Sequence, residues 1–157
     1  MDQLLLERAL DARSELLERL AAEQTDSLRL FHGAAEGSPG LSIDSYGDLL
    51  LVQTWREPLD EPALGMIEDV AQQSLQRELR TVWNHRARGA GDYARWHPAP
   101  DLSSVRAQEG GLSFPVDPRH GGRDPLFFLD FRAARRRVRA EASGARVLNL
   151  FSYTSTM

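Results

Sequence analysis

The chain has 157 residues, 41% of them hydrophobic and 27% charged, with a formal net charge of −4 and no cysteine. That length holds one domain, or one small domain and part of another, and the missing thiols exclude disulfides, thiolate metal sites and a cysteine nucleophile from these residues. No apolar run reaches the roughly 18 residues that cross a bilayer, and the opening Met1-Asp2-Gln3-Leu4 meets charge at once without a basic leader, so a cytoplasmic protein is expected.

Charge is unevenly spread. All 19 basic residues are Arg. GC-rich codon usage is the plain cause, and the physical consequence is that every cation is a planar fork suited to carboxylate or phosphate. Six of them fall within 132–146, which sets up a local positive field in an acidic chain.

In chain order, residues 2–23 read as one helix, with Leu5, Ala9, Ala12, Leu16, Leu17 and Leu20 at helical spacing and Asp2 as N-cap. Strands are expected at 28–32, 41–44 and 49–55. A Gly/Pro-rich loop separates the first two, and a tight turn at 45–48 joins the last two, with Gly47 supplying the positive φ. Residues 61–76 read as a helix, with Pro62 in its first turn, and 79–84 as a strand. Strand, strand, helix, strand is a small α+β unit.

Residues 86–101 carry Pro and Gly without periodicity and form the expected domain boundary. A hairpin follows, 104–108 and 112–116 across Glu109-Gly110-Gly111. Then come a loop at 117–124, a short strand at 126–130, a basic helix at 131–142 stopped by Ser143-Gly144, and an apolar strand at 146–151.

The last segment, VLNLFSYT, is a strand running into a loop of small and hydroxyl residues. Doubly wound α/β domains begin this way and hold ligands outside the carboxyl end of that strand, beside Asn149, Ser152, Tyr153 and Thr154 here. A buried strand ending in a plain turn is the alternative. Upstream, Asp130 stands at a helix N-terminus, where a carboxylate commonly caps. Arg132, Arg135, Arg136 and Arg139 read as a solvated helix face.

The residues then carry a resemblance. HGAAEGSPGLSIDSYGDLLLVQ resembles a conserved stretch of class I S-adenosylmethionine-dependent ribosomal RNA methyltransferases of the RlmI-like type. GLSFPVD, LFFLDFRAARR and VLNLFSYT resemble three further motifs of that family, in the family's order. The resemblance implies a small α+β accessory domain at 26–100, after an N-terminal helix at 1–25. It also implies the start of a Rossmann-like α/β methyltransferase domain at 101–157: hairpin, helix and first strand. It further implies S-adenosylmethionine as cofactor, RNA (ribosomal RNA) as partner, and Asp130, Arg132, Asn149, Phe151, Tyr153 and Thr154 as cofactor-binding residues.

Departures from the family pattern are Phe131 in place of Gln, Arg123-Asp124-Pro125 in place of Lys-Thr-Gly, and Ser155 in place of Gly. The PUA domain that the family carries before this helix is expected to be missing. With the remaining sheet strands expected to be absent, a truncated piece is expected, inactive alone and with weak or no cofactor affinity. The rival from another class is a stand-alone α+β module that binds RNA or protein without catalysis. A degenerate or frameshifted product is the third.

His32, His85, His97 and His120 lack metal-ligand spacing, and no metal site is expected. DPRHGGRDP reads as a connecting loop over the cofactor pocket. Trp83, Trp96 and Phe114, near Arg86, Arg88, Arg95 and Arg106, either grip RNA or pack a core, and core packing is the expectation.

Overall fold

A computed structural model describes residues 1–86, 105–119 and 125–150, and the backbone of 94–95. Five strands form one sheet in chain order: β1 (Ser27–His32), β2 (Leu41–Tyr46), β3 (Leu49–Thr54), β4 (Arg80–His85) and β5 (Ala94–Arg95). Neighbours run antiparallel except β3 and β4. These two are parallel because α3 (Glu61–Leu75) carries the chain back across one face. The compact α+β unit read from the sequence is therefore present.

That face is covered by α3 and by the helices before β1. In α3, Leu64, Ile67, Val70 and Ala71 are buried at helical spacing, and the Asp60 carboxylate caps the helix by accepting from the Ala63 N–H at 2.9 Å. The expected single helix at 2–23 is instead two, α1 (Gln3–Asp11) and α2 (Ser14–Ala22). At the junction the Arg13 fork donates to the Ala9 and Arg29 carbonyls at 2.6 and 3.0 Å and pairs with Glu36. Both helices keep the apolar spacing. The break coincides with Arg13's contacts to Arg29 and Glu36, which periodicity does not register.

The other face is covered by a hairpin, β6 (Arg106–Glu109) and β7 (Leu112–Pro115), turned by Gly110 and Gly111 at φ 58° and 78°. Tyr46, Leu49, Leu51 and Val82 of the sheet form a second core with Val105, Ala107, Val116 and Phe127. Strand β3 is therefore buried along its whole length and reads as a continuous apolar run. The hairpin is tied to the segment before β1, where the Gln108 N–H donates to Asp26 Oδ1 at 2.7 Å and the Asp26 N–H to the Gln108 carbonyl at 3.1 Å.

Two expected strands are absent. Residues 126–130 form a bend and a 3-10 turn, Leu129–Phe131, that leads into α4 (Arg132–Glu141). Phe127 is fully buried there and stacks on Phe114 at 4.6 Å, as a single inserted side chain and not as a paired strand. Of the strand expected at 146–151, the described part, 146–150, has no strand structure, and Val147, Leu148 and Leu150 are exposed. Apolar residues make a strand only when a neighbouring strand satisfies their backbone groups.

Candidate functional site

The basic helix α4 is turned partly inward. Arg135 is 7% exposed, and its Nε and Nη2 donate to Glu109 Oε1 and Oε2 at 2.6 and 2.8 Å. Its Nη1 donates to the Phe128 carbonyl at 2.9 Å, and the guanidinium carbon lies 4.4 Å from the centre of the Phe127 ring. Arg132 donates to Glu109 Oε2 at 3.0 Å and to the Ser27 carbonyl. One carboxylate thus joins two cations one helical turn apart to the hairpin. Burial alone would raise Glu109, but hydrogen bonds from Arg135 and Arg132 outweigh it and hold the carboxyl below its ordinary value.

The rest of the expected solvated face is also engaged: Arg136 pairs with Glu23, and Arg139 donates to the Gly110 carbonyl at 3.0 Å. Arg136 and Arg139 stay exposed while making these contacts, and Arg137, exposed as well, pairs with Glu141 on the same helix.

Beside β1 lies a cavity of about 450 Å³ with Tyr46, Phe127 and Phe128 among its walls. Its polar lining is Arg29, Asp44, Gln53, Asp130 and Arg132. Arg29 and Asp44 form a two-pronged pair at 2.7 and 3.1 Å across β1 and β2. Asp44 is 1% exposed. Its burial raises the carboxyl above the usual range, with the Arg29 fork opposing, and Arg29 is itself raised by that hydrogen bond.

A second cavity, about 530 Å³ and mainly apolar, has Glu109, Phe114, Arg135, Val138 and Val147 in its lining. The Glu109–Arg132–Arg135 cluster stands between the two, with Arg132 on the first and Glu109 and Arg135 on the second.

Of the expected cofactor-binding residues, Asp130 and Arg132 come together on the first cavity. Asp130 is exposed in the 3-10 turn, with no ion pair among the described residues. Arg132 has Nε and Nη2 committed to Glu109 and Ser27. Asn149 is half-buried in the irregular segment after α4, which contributes Val147 to the second cavity. Phe151, Tyr153 and Thr154 lie outside the described residues, as do His97 and His120, Trp96, and most of the loop expected over the cofactor pocket. Trp83 packs in the first core and donates from Nε1 to Thr54 Oγ1 at 3.0 Å, and Phe114 packs against the second. Both aromatics belong to cores.

Sequence reading missed Arg29, Asp44, Gln53 and Glu109. A signal existed for Glu109: in the alternating β6, Arg-Ala-Gln-Glu, it shares the inward side with Ala107. Asp44 gave no such signal, since Ser42 and Ser45 share its strand.

The mixed sheet with its helices and covering hairpin defines an α+β domain of the kind that begins a methyltransferase fold, and solved structures share it. A Streptococcus mutans protein assigned as SAM-dependent methyltransferase is 26% identical with a TM-score of 0.73, over 98% of this chain and 39% of that one. A second methyltransferase structure, complexed with SAH, is 24% identical with a TM-score of 0.72 over 99% of this chain and 40% of its own. Residues 28–157 match the sequence profile of S-adenosylmethionine-dependent methyltransferases, and the chain belongs to that family.

Among curated relatives, a ribosomal RNA large subunit methyltransferase of Deinococcus radiodurans is 34% identical, over 95% of this chain and 38% of its own length. Ribosomal RNA large subunit methyltransferase I of Erwinia tasmaniensis is 31% identical, over 94% and 38%. The chain thus spans about 38% of the length of these relatives.

Proposed function

We propose that this chain is part of an S-adenosylmethionine-dependent methyltransferase acting on RNA, with large-subunit ribosomal RNA as substrate. The observation that carries this reading is the family match over residues 28–157, supported by the 34% identity to the Deinococcus ribosomal RNA methyltransferase. In it, 26–100 is the accessory domain and 101–157 the start of the methyltransferase domain. The relatives' ribosomal RNA substrates, by name, are the ground for placing it in the cytoplasm.

S-adenosylmethionine supplies an electrophilic methyl group on a sulfonium, and the protein's task is largely positioning. The chain's chemistry fits that cofactor. Asp130 presents an exposed carboxylate able to accept from an ammonium group, and Asn149 presents a half-buried amide. Arg132, anchored by Glu109 and Ser27, fixes the turn that carries Asp130. Phe151, Tyr153 and Thr154 complete the set in this reading.

The test is a chimera in which residues 1–157 replace the matching 38% of the Deinococcus protein. Calorimetry should detect S-adenosylmethionine binding, and labelled methyl should pass to undermethylated large-subunit RNA. A folded chimera that binds no cofactor would sink the proposal.

A further inference from the structure

A row of polar side chains crosses the sheet face beneath the hairpin, and the described residues leave an oxygen of each unsatisfied. Ser42, Gln53 and Asn84 are direct cross-strand neighbours on β2, β3 and β4. Alternation puts all three on the same face as Tyr46, Leu51 and Val82. They are 4%, 6% and 0% exposed. Yet among the described residues Ser42 Oγ, Gln53 Oε1 and Asn84 Oδ1 have no hydrogen-bond partner, while Asn84 Nδ2 is spent on the Pro118 carbonyl at 2.7 Å. Buried polar atoms left unpaired are costly, and three in one row need a reason.

Gln53 lines the 450 Å³ cavity described above, whose walls include Tyr46, Phe127 and Phe128. The size suits a nucleoside-scale ligand, and aromatic rings beside amide acceptors are the means by which proteins hold single-stranded bases. The charge balance points the same way. The two cations on the lining already face carboxylates, Arg29 on Asp44 and Arg132 on Glu109. An incoming phosphate finds these forks committed, whereas a planar uncharged group needs none.

We propose that this cavity holds a base of the RNA strand, one bearing an exocyclic amino group that donates to Gln53 Oε1. The proposal rests on the reading of RNA as substrate and adds a site for it. Among the described residues, the segment bearing Asn149 lends Val147 to the other cavity and none to this one, whereas Asp130, the candidate ammonium acceptor, lines this one, so the base site adjoins the candidate cofactor residues at Asp130.

The experiment is an NMR titration of the ¹⁵N-labelled 157-residue chain with adenosine, cytidine, uridine and SAH, following the Gln53 and Asn84 side-chain amides. Adenosine and cytidine should shift both signals, with uridine weaker. Gln53→Leu should weaken adenosine and cytidine by about five- to tenfold without lowering thermal stability, since it removes an orphaned group, and Ser42→Ala should leave the fold intact as a second probe. Unmoved amides, or nucleoside affinity unchanged in Gln53→Leu, would mean that the row is merely hydrated and overturn the proposal. Shifts with SAH that nucleosides cannot displace would give the cavity to the cofactor, overturning it too. The chimera keeps the two ideas apart: methyl transfer with no nucleoside binding here removes only this site. Nucleoside binding here in a chimera that takes no cofactor removes only the methyltransferase reading.

Discussion

Glu109 and Arg135 meet through two hydrogen bonds, 2.6 and 2.8 Å, at a point where the hairpin and the basic helix are both closed to solvent. The pair ties α4 to the second core, because the same guanidinium lies over the Phe127 ring. Removing the carboxylate strands Arg135, and Arg132 with it. Glu109→Ala should therefore cost about 3 kcal/mol of folding stability, as expected for breaking a buried pair from one side. Urea denaturation of the two chains checks this. A loss close to zero would show that water takes over both forks.

The same carboxyl makes stability depend on acid. Glu109 is held below its ordinary value of 4.5, so its contribution is fully present above that value and is lost as pH falls through the lower folded value. Asp44 acts with the opposite sign. Burial raises it, so its contribution is present below its ordinary value of 3.8 and fades as pH rises through the higher folded value. Glu109→Gln should flatten the acid limb of stability against pH, and melting curves between pH 3 and 6, an interval of about one to two units around ordinary carboxyl values, are the measurement.

Phe127 should be the most sensitive aromatic outside the first core. It is fully buried between Phe114 and Arg135, and Phe127→Ala should cost about 3–5 kcal/mol through lost area and the cavity left behind. Calorimetric melting of the variant reads the loss directly.

Two glycines with similar backbone angles should respond differently. Gly47 has φ 57°, and a Cβ there would sit 2.5 Å from the Arg106 carbonyl oxygen. Gly144, after α4, has φ 71° with open space around it. Gly144→Ala should cost about 1 kcal/mol for the left-handed conformation alone. Gly47→Ala should cost more, because the hairpin backbone must also retreat. Equal losses in chemical denaturation would contradict this contrast.

Much of the architecture was legible from residue order. Apolar runs and the turns between them located β1 to β4, Pro62 marked the first turn of α3, and Gly47 and the Gly110-Gly111 pair marked the two hairpins. The candidate site was legible only in part. Asp130 and Arg132 were singled out and do share a cavity, but Gln53 and Asp44 were not, since each looks like one polar residue among many until its neighbours are known, and Glu109 was passed over despite the alternation of its strand.

The sequence by itself determined most of the local elements, though not the break between α1 and α2, because caps, turns and periodicity act over a few residues. Only the tertiary structure decided which way the Arg-rich helix faces. A helical period of Arg has the same pattern whether it meets water or a carboxylate 26 residues away, as between Arg135 and Glu109. It also decided that 126–130 and 146–150 are not strands, for a strand exists through the backbone partner beside it, and that partner is not written in the strand's own residues.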